Sequence, residues 1–246
     1  MQAGEPVLMP IVRKLERTGP LDQNDRAELV ALAREATMLD ADTVIARDGE
    51  PVERCCALLS GFAYRSKITG EDKRQIVSLH LRGDLLDLHG LMTGTADHDI
   101  RTLTPCRVAF IPRTALLALV ERRPAIARAF WLDTLVDASV FREWILNVGR
   151  RGARTRIAHL LCETAVRVAG LDAQTAAALP LTQGQLADAT GLTPVHVNRV
   201  LQSLAQDRLI ERENGAITVL DLPRLASLGE FDPAYLHPEL IPLATG

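Results

Sequence analysis

The sequence predicts an α+β protein with three parts: an N-terminal β-roll of the double-stranded jelly-roll type, one long helix, and a C-terminal winged helix-turn-helix. Three observations carry this reading. Residues 42–112 break into short stretches between closely spaced glycines, one of which, Gln75–Leu81, alternates apolar and polar positions. Residues 125–148 run without Gly or Pro and are apolar nearly all round. Residues 182–206 set helix caps, a turn glycine and apolar positions at the spacing of two helices joined by a tight turn. The expected division is 1–123 for an effector-type roll with N-terminal helices, 124–149 for a dimerisation helix, 150–230 for the winged domain and 231–246 for a tail.

Residues 10–40 read as short helices. Leu15, Leu29, Leu32 and Ala33 carry the 3-and-4 spacing of one buried face, and Asp22 is placed to cap a helix running to about Glu35. In the roll, glycines at 49, 61, 70, 83, 90 and 94 punctuate short strands around Cys56–Leu59, Arg74–Leu81 and Val108–Ile111. The run Gln75–Leu81 alternates, which predicts a half-buried strand with Val77 and the other odd positions on one face. Thr69-Gly70-Glu71-Asp72 is a turn. Short strands at such intervals argue for a sandwich or roll.

Pro124 suits the first turn of the long helix, where its missing N–H is not needed. The helix then carries both tryptophans, Trp131 and Trp144, among Ile126, Phe130, Leu132, Leu135, Val136, Val140, Phe141, Ile145 and Val148. A helix this apolar must be buried on more than one side, which predicts a helix that pairs with a second copy. Asp133 and Asp137 are expected at its wettest edge. Gly149-Arg150-Arg151-Gly152 reads as a hinge. A second helix follows over Arg154–Ala169, with Ile157, Leu160, Leu161, Thr164 and Val168 on one face and Gly170 as its stop. Residues 171–180 read as a connector.

Thr182 and Gln185 fit a capping box, Gly191 supplies a positive φ between the helices, and Thr193-Pro194 caps and opens the second helix. Ala187 keeps the crossing close. Turning Val197, Val200, Leu201 and Leu204 inward sends Val195, Arg199, Gln202 and Gln206 outward, flanked by Asn198 and Ser203. Arg bonds guanine bidentately, Asn and Gln bond adenine, and Val meets a thymine methyl. The candidate DNA-contacting set is Thr182, Thr193, Val195, His196, Asn198, Arg199 and Gln202. Two β runs around Asn214-Gly215 form a wing behind this helix. Residues 182–212 balance Arg199, Arg208 and Arg212 against Asp188, Asp207 and Glu211, so phosphate affinity is expected to be modest. Arg150, Arg151, Arg154 and Arg156 are candidates to supplement it. The tail residues Pro233, Tyr235 and Pro238 either pack on the winged domain or hang free.

Composition narrows the function classes. The chain has 246 residues and a net charge of −3, which excludes a globally basic nucleic-acid coat. Aromatics at 4% argue against a base-stacking platform. No apolar run reaches the ~20 residues that span a bilayer, and the start carries Glu5 and prolines in place of a secretion signal. A cytoplasmic protein without membrane contact is expected. The four cysteines, Cys55, Cys56, Cys106 and Cys162, include no C-x-x-C pair; Cys55-Cys56 is either a vicinal disulfide or, by strand alternation, one thiol in the core and one opposite. Nucleophile-elbow, P-loop, dinucleotide and zinc-protease motifs are absent, so no enzyme is expected. Asp84, Asp87, Asp97 and Asp99 read as loop acids, and no metal site is expected.

Leu79-His80-Leu81-Arg82-Gly83-Asp84-Leu85 in the roll is similar to a signature of the CRP/FNR family of bacterial transcription regulators. So are Leu186-Ala187, Gly191-Leu192-Thr193, Val197-Asn198-Arg199 and Leu201 in the helix pair. The resemblance covers roughly residues 20–229. It implies a cyclic-nucleotide-binding-like roll, a homodimer with recognition helices in successive major grooves, double-stranded DNA and RNA polymerase as partners, and a small-molecule effector. Arg199 matches the family's recognition-helix arginine. Val195 stands where the family usually has Glu, so the usual half-site is not implied. The cyclic-nucleotide members' Gly-Glu pair is Asp87-Leu88 here, and Leu91–Ile100 holds no Arg, so a cyclic nucleotide is not expected. Without a cysteine before Cys55, an iron–sulfur cluster is not expected. No cofactor is predicted; haem is the family option left, with His80, His89 and His98 as candidate axial ligands or else ordinary hydrogen-bonded histidines. His159 and His196 lie on helices and need no metal. The effector is unidentified, and the candidate pocket loop is Asp84, Asp87, His89 and His98. The resulting expectation is a sequence-specific homodimeric regulator. The alternative is an effector-binding sensor acting through protein contacts, with a weak DNA domain.

Overall fold

The computed structural model describes residues 5–170, 178–213 and 215–237. The chain forms two compact units, Met1–Lys67 with Leu79–Ala138 and Ile68–Ser78 with Ser139–Gly246.

The first unit opens with α1 (Met9–Thr18) and α2 (Gln23–Ala31). Asp22 caps α2 as expected: its Oδ1 accepts from Asp25 N at 2.7 Å, and Asp25 Oδ2 accepts from Asp22 N at 3.0 Å. The helix stops at Ala31, short of Glu35, because the chain is already extended at Thr37. The strands are β1 (Thr37–Leu39), β2 (Val44–Ala46), β3 (Arg54–Ser60), β4 (Ala63–Ile68) and β5 (Arg74–His80), then β6 (Asp99–Thr102) and β7 (Cys106–Pro112) after the short helix α3 (Gly90–Thr93). They form two sheets, ordered β1-β7-β3 and β2-β6-β4-β5, with antiparallel β3–β7 pairing that sets Ala57 against Ala109. The predicted α+β roll is the observed architecture.

Alternation along β3 serves two cores at once. Cys55, Ala57 and Leu59 join α1, α4 (Arg113–Arg122) and the start of α5 (Pro124–Arg150) in one cluster. Cys56 and Leu58 join Ile100, Val108 and Cys106 in the other. The adjacent thiols therefore point apart, and all four cysteines are free and buried. Strand β5 departs from expectation. Ile76, Ser78, Leu79 and His80 are all buried, so the even face is not wet. Polar groups are tolerated there because His80 Nδ1 is bonded to Asp84 Oδ2 at 3.1 Å.

Helix α5 also corrects the sequence reading. Asp133, expected at the wettest edge, is buried and 2.5 Å from Lys14 Nζ. Asp137 is 3.1 Å from Arg65 Nη1, whose side chain is only 6% exposed. Lys14 also reaches Asp84 at 2.9 Å. Burial works against the Lys14 charge, but Asp133, Asp84 and Asp137 outweigh it and raise its pKa. The cations come from α1 and β4, far in sequence, which is why the acids face inward. The helix passes through Gly149 and ends at Arg150; Gly152 N-caps the next helix.

The second unit is built around α6 (Ala153–Ala169), which is buried on nearly every side from Ile157 to Ala165. Around it lie β8 (Ala178–Leu179), α7 (Gln183–Thr190), α8 (Pro194–Gln206), β9 (Ile210–Glu213), β10 (Ala216–Val219) and α9 (Leu222–Gly229). The wing is a sheet ordered β8-β10-β9, so the end of the expected connector is a third strand paired through Leu179 to Ile217. The rest of that connector, residues 171–177, and Asn214 of the expected turn lie outside the described residues; Gly215 has φ +79°. Gly229 lets α9 sit against α6: a Cβ there would fall 2.7 Å from His159 N.

The described part of the tail packs onto α6. Tyr235 donates its hydroxyl to Glu163 Oε2 at 2.8 Å, and Trp144 Nε1 donates to the same oxygen at 2.9 Å. Residues 238–246, including Pro238, lie outside the described residues.

Lys14→Met should lower the unfolding free energy by about 3–5 kcal/mol, because it leaves Asp84 and Asp133 buried without their cation. Urea denaturation measures this; a loss under about 1 kcal/mol would show that the ion pairs do not hold α5 in place.

Candidate nucleic-acid interface

Local chemistry alone builds the helix pair. Thr182 Oγ1 accepts from Gln185 N at 3.2 Å while Gln185 Oε1 accepts from Thr182 N at 2.9 Å. Gly191 ends α7 in the left-handed region at φ +64°. Thr193 Oγ1 accepts from His196 N at 3.3 Å, and Pro194 opens α8. Val197, Val200, Leu201 and Leu204 are buried, as the spacing requires. Val195 is 63% exposed, and His196, Arg199 and Gln202 are exposed beside it.

Three expected contributors are already engaged. Asn198 Oδ1 accepts from Gln183 Nε2 at 3.3 Å and from Arg212 Nη1 at 3.2 Å. Bidentate adenine readout needs that carbonyl free, so Asn198 here links α7, α8 and the wing. Both the hydroxyl and the amide of Thr182 are committed to its capping box, and the hydroxyl of Thr193 caps α8. Of the supplementary arginines, Arg151 is paired with Glu143 at 2.6 Å, and Arg156 donates to Thr190 O at 2.5 Å. Arg154 lies against α8 itself, donating to Ser203 Oγ at 2.8 Å and pairing with Asp207. It lines one concave surface with Thr193, Val195, His196 and Arg199. A second hollow runs from Thr182, Gln183 and Gly184 to Arg212 on the wing. The position of Arg212 opposite Asn198 depends on wing pairing and left no mark in local spacing.

The residues proposed for an effector pocket in the first unit separate into two sets. Asp84 accepts from Leu81 N at 3.0 Å besides its bonds to His80 and Lys14. Asp87 accepts from Cys56 N at 3.0 Å, and burial raises its pKa. Both hold the fold. The buried Arg65 donates twice to Leu86 O, at 2.9 and 2.6 Å. His89 and His98 instead converge on Asp97, a residue the sequence reading left among solvated acids. His98 Nδ1 is 2.6 Å from Asp97 Oδ1, and His89 Nε2 is 3.1 Å from the same oxygen but out of line for a hydrogen bond. Burial, then the nearby Arg65 charge, pushes His98 down to about 4 and lowers His89 as well, so both imidazoles are neutral near pH 7.

Of the three candidate haem ligands, His89 and His98 are not set as an axial pair. The His89 and His98 rings have centroids 4.7 Å apart, too close to hold a macrocycle between them as an axial pair. His80 is locked to Asp84.

A capped helix with an exposed polar face, set beside a three-stranded wing, defines the class of winged helix-turn-helix DNA-binding proteins. Residues 155–228 match the Crp-like helix-turn-helix domain and residues 37–123 match the cyclic nucleotide-binding domain. The chain is 28% identical to the transcriptional activator protein FnrL of Cereibacter sphaeroides over 183 residues, 72% of this chain and 73% of that one. It is 27% identical to the transcriptional activatory protein AadR of Rhodopseudomonas palustris, covering 88% and 90%. The fold is shared with the solved structure of FixK2 from Bradyrhizobium japonicum, at TM-score 0.69 and 24% identity over 79% of this chain and 96% of that one. It is also shared with the c-di-GMP-responsive global regulator CLP of Xanthomonas campestris, at TM-score 0.66 and 18% identity over 81% and 100%. The chain belongs to the CRP/FNR family: it is a DNA-binding transcription regulator, and not an enzyme. No helix among the described residues is long and apolar enough to cross a membrane.

Thr193→Ala should cost about 0.5–2 kcal/mol of stability by uncapping α8. Thermal or urea unfolding of the variant measures it; an unchanged midpoint would mean that the Thr193–His196 bond does not hold the start of the helix.

Proposed function

We propose that the protein acts as a homodimer, reads a two-fold-related DNA site, and regulates transcription in the cytoplasm through contact with RNA polymerase. One observation carries the dimer: α5 turns its acids inward and leaves apolar side chains outside. Trp131 is 67% exposed, Leu135 48%, Ile145 73% and Leu146 45%. Trp131, Ala138 and Ile145 recur every seven residues along the helix, the spacing of a seam between paired helices. Exposed stripes of this kind mark interaction sites. A second copy of the same helix offers the matching stripe, and two-fold pairing closes on itself.

In this reading Arg199 and Gln202 read base edges, and Val195 makes an apolar contact, with His196 beside them. Arg154, Arg212 and the free amides at the start of α7 contact phosphates, while Thr182, Thr193 and Asn198 position the two helices. Val195 in place of an acid predicts a half-site in which a thymine methyl replaces a cytosine amine. The roll supplies the sensory input, and its effector is a small ligand other than a cyclic nucleotide, since no cation is free in the 91–100 loop to meet a phosphate.

The single variant Trp131→Glu tests the dimer. Wild type should sediment as a dimer at micromolar concentration, and the variant should dissociate at least ~10-fold more readily, with DNA binding lost in parallel. A monomeric wild type, or a variant that stays dimeric, would remove the seam from this reading.

A further inference from the structure

His89, Asp97 and His98 form a cluster in the first unit that neither the fold nor the DNA-contacting surface uses. Each offers a ligand atom, and these atoms all lie within 4.8 Å of one another. His89 immediately precedes α3, and Asp97 and His98 lead into β6. Two imidazoles approach a single carboxylate oxygen at 3.1 and 2.6 Å.

The cluster is not satisfied by the protein alone. His89 Nε2 and His98 Nε2 are both shielded from solvent and without a hydrogen-bond partner, and the His98 side chain is only 9% exposed. Leaving a buried imidazole nitrogen unpaired is costly. The carboxylate, by contrast, is 78% exposed, so its second oxygen is open. The surrounding charges include Arg65, committed to Leu86 and Asp137, Asp87, which accepts from Cys56 N, and Lys67, which donates to Asp97 O at 2.6 Å and pairs with Asp48. Asp99 is held by Asp48 N at 2.9 Å. None of these groups supplies the missing partner.

We infer that His89, Asp97 and His98 form a binding site for a divalent first-row transition metal, of the zinc, cobalt, nickel or iron(II) group. Two neutral imidazoles and one carboxylate are the donor set such ions prefer over calcium or magnesium, which take oxygen. A metal about 2.0–2.2 Å from each donor sets the donors about 3–3.5 Å apart, so the cluster reaches that geometry with small side-chain movements. The exposed side of Asp97 leaves further positions to water or to a ligand from solution. The bound ion would tie the segment before α3 to the start of β6. The site is independent of the DNA-binding reading and stands or falls on metal binding alone.

The test uses the full-length protein, stripped with chelator and titrated with Co2+, then competed with Zn2+. One equivalent per chain should bind at micromolar or lower concentration, with visible ligand-field absorption diagnostic of nitrogen coordination. Asp97→Asn, at an exposed position that leaves the fold intact, and His89→Gln should each weaken binding at least ~10-fold, with unchanged circular dichroism. Wild type that takes up no Co2+, or variants that bind it as tightly as wild type, would overturn the site. Uptake with no ligand-field signature of nitrogen would overturn it equally, since it would place the ion on carboxylates elsewhere.

Discussion

Two ion pairs, one buried and one half-buried, set the rotation of α5 about its own axis, and the character of the long helix follows from that setting. Lys14 on α1 holds Asp133, and Arg65 on β4 holds Asp137. Pairing turns the two acids, four residues apart, toward the roll. A helix has only one opposite side, so Trp131 and Leu135 are driven outward. Replacing the acids by apolar residues would pack as well, and buried ion pairs are seldom the cheapest way to stabilise a core. What they supply here is orientation. An all-apolar helix could settle at several rotations, whereas charges with fixed partners permit one.

The winged domain is organised by a different economy, in which nearly every constraint is local. The capping box of α7, the left-handed Gly191 and the Thr193 cap each involve residues within four positions of one another. Longer-range groups then tie the pieces together. Arg156 satisfies the carbonyl at the end of α7, Arg154 holds Ser203 on α8, and Asn198 joins α8 to α7 and the wing. The exposed Arg199 and Val195 are thereby carried on a helix whose every other face is held.

That division explains what was legible in the sequence. The helix pair could be read to the residue, because caps, turn glycine and apolar spacing are short-range signals. That Cys55 and Cys56 point to opposite faces was legible for the same reason; that both faces are buried was not. The facing of α5 was not, because Lys14 and Arg65 lie more than sixty residues from their partners. Strand β5 misled because the burial of His80 depends on Asp84, which follows only after a turn. Strand β8 is two residues long and offers no period to detect, and the packing of α9 rests on Gly229 meeting a backbone in α6. The convergence of His89 and His98 on Asp97 likewise arises only when the loop before β6 folds back beside α3.

Whether a paired α5 presents two Arg199-bearing helices to one DNA duplex is read by selecting bound duplexes from a randomised library with wild type and Arg199→Ala. Wild type should select an inverted repeat with half-sites about one helical turn apart, and the variant should show relaxed or lost preference at one base pair of each half. Recovery of single, unpaired half-sites, or the same repeat from both proteins, would contradict it.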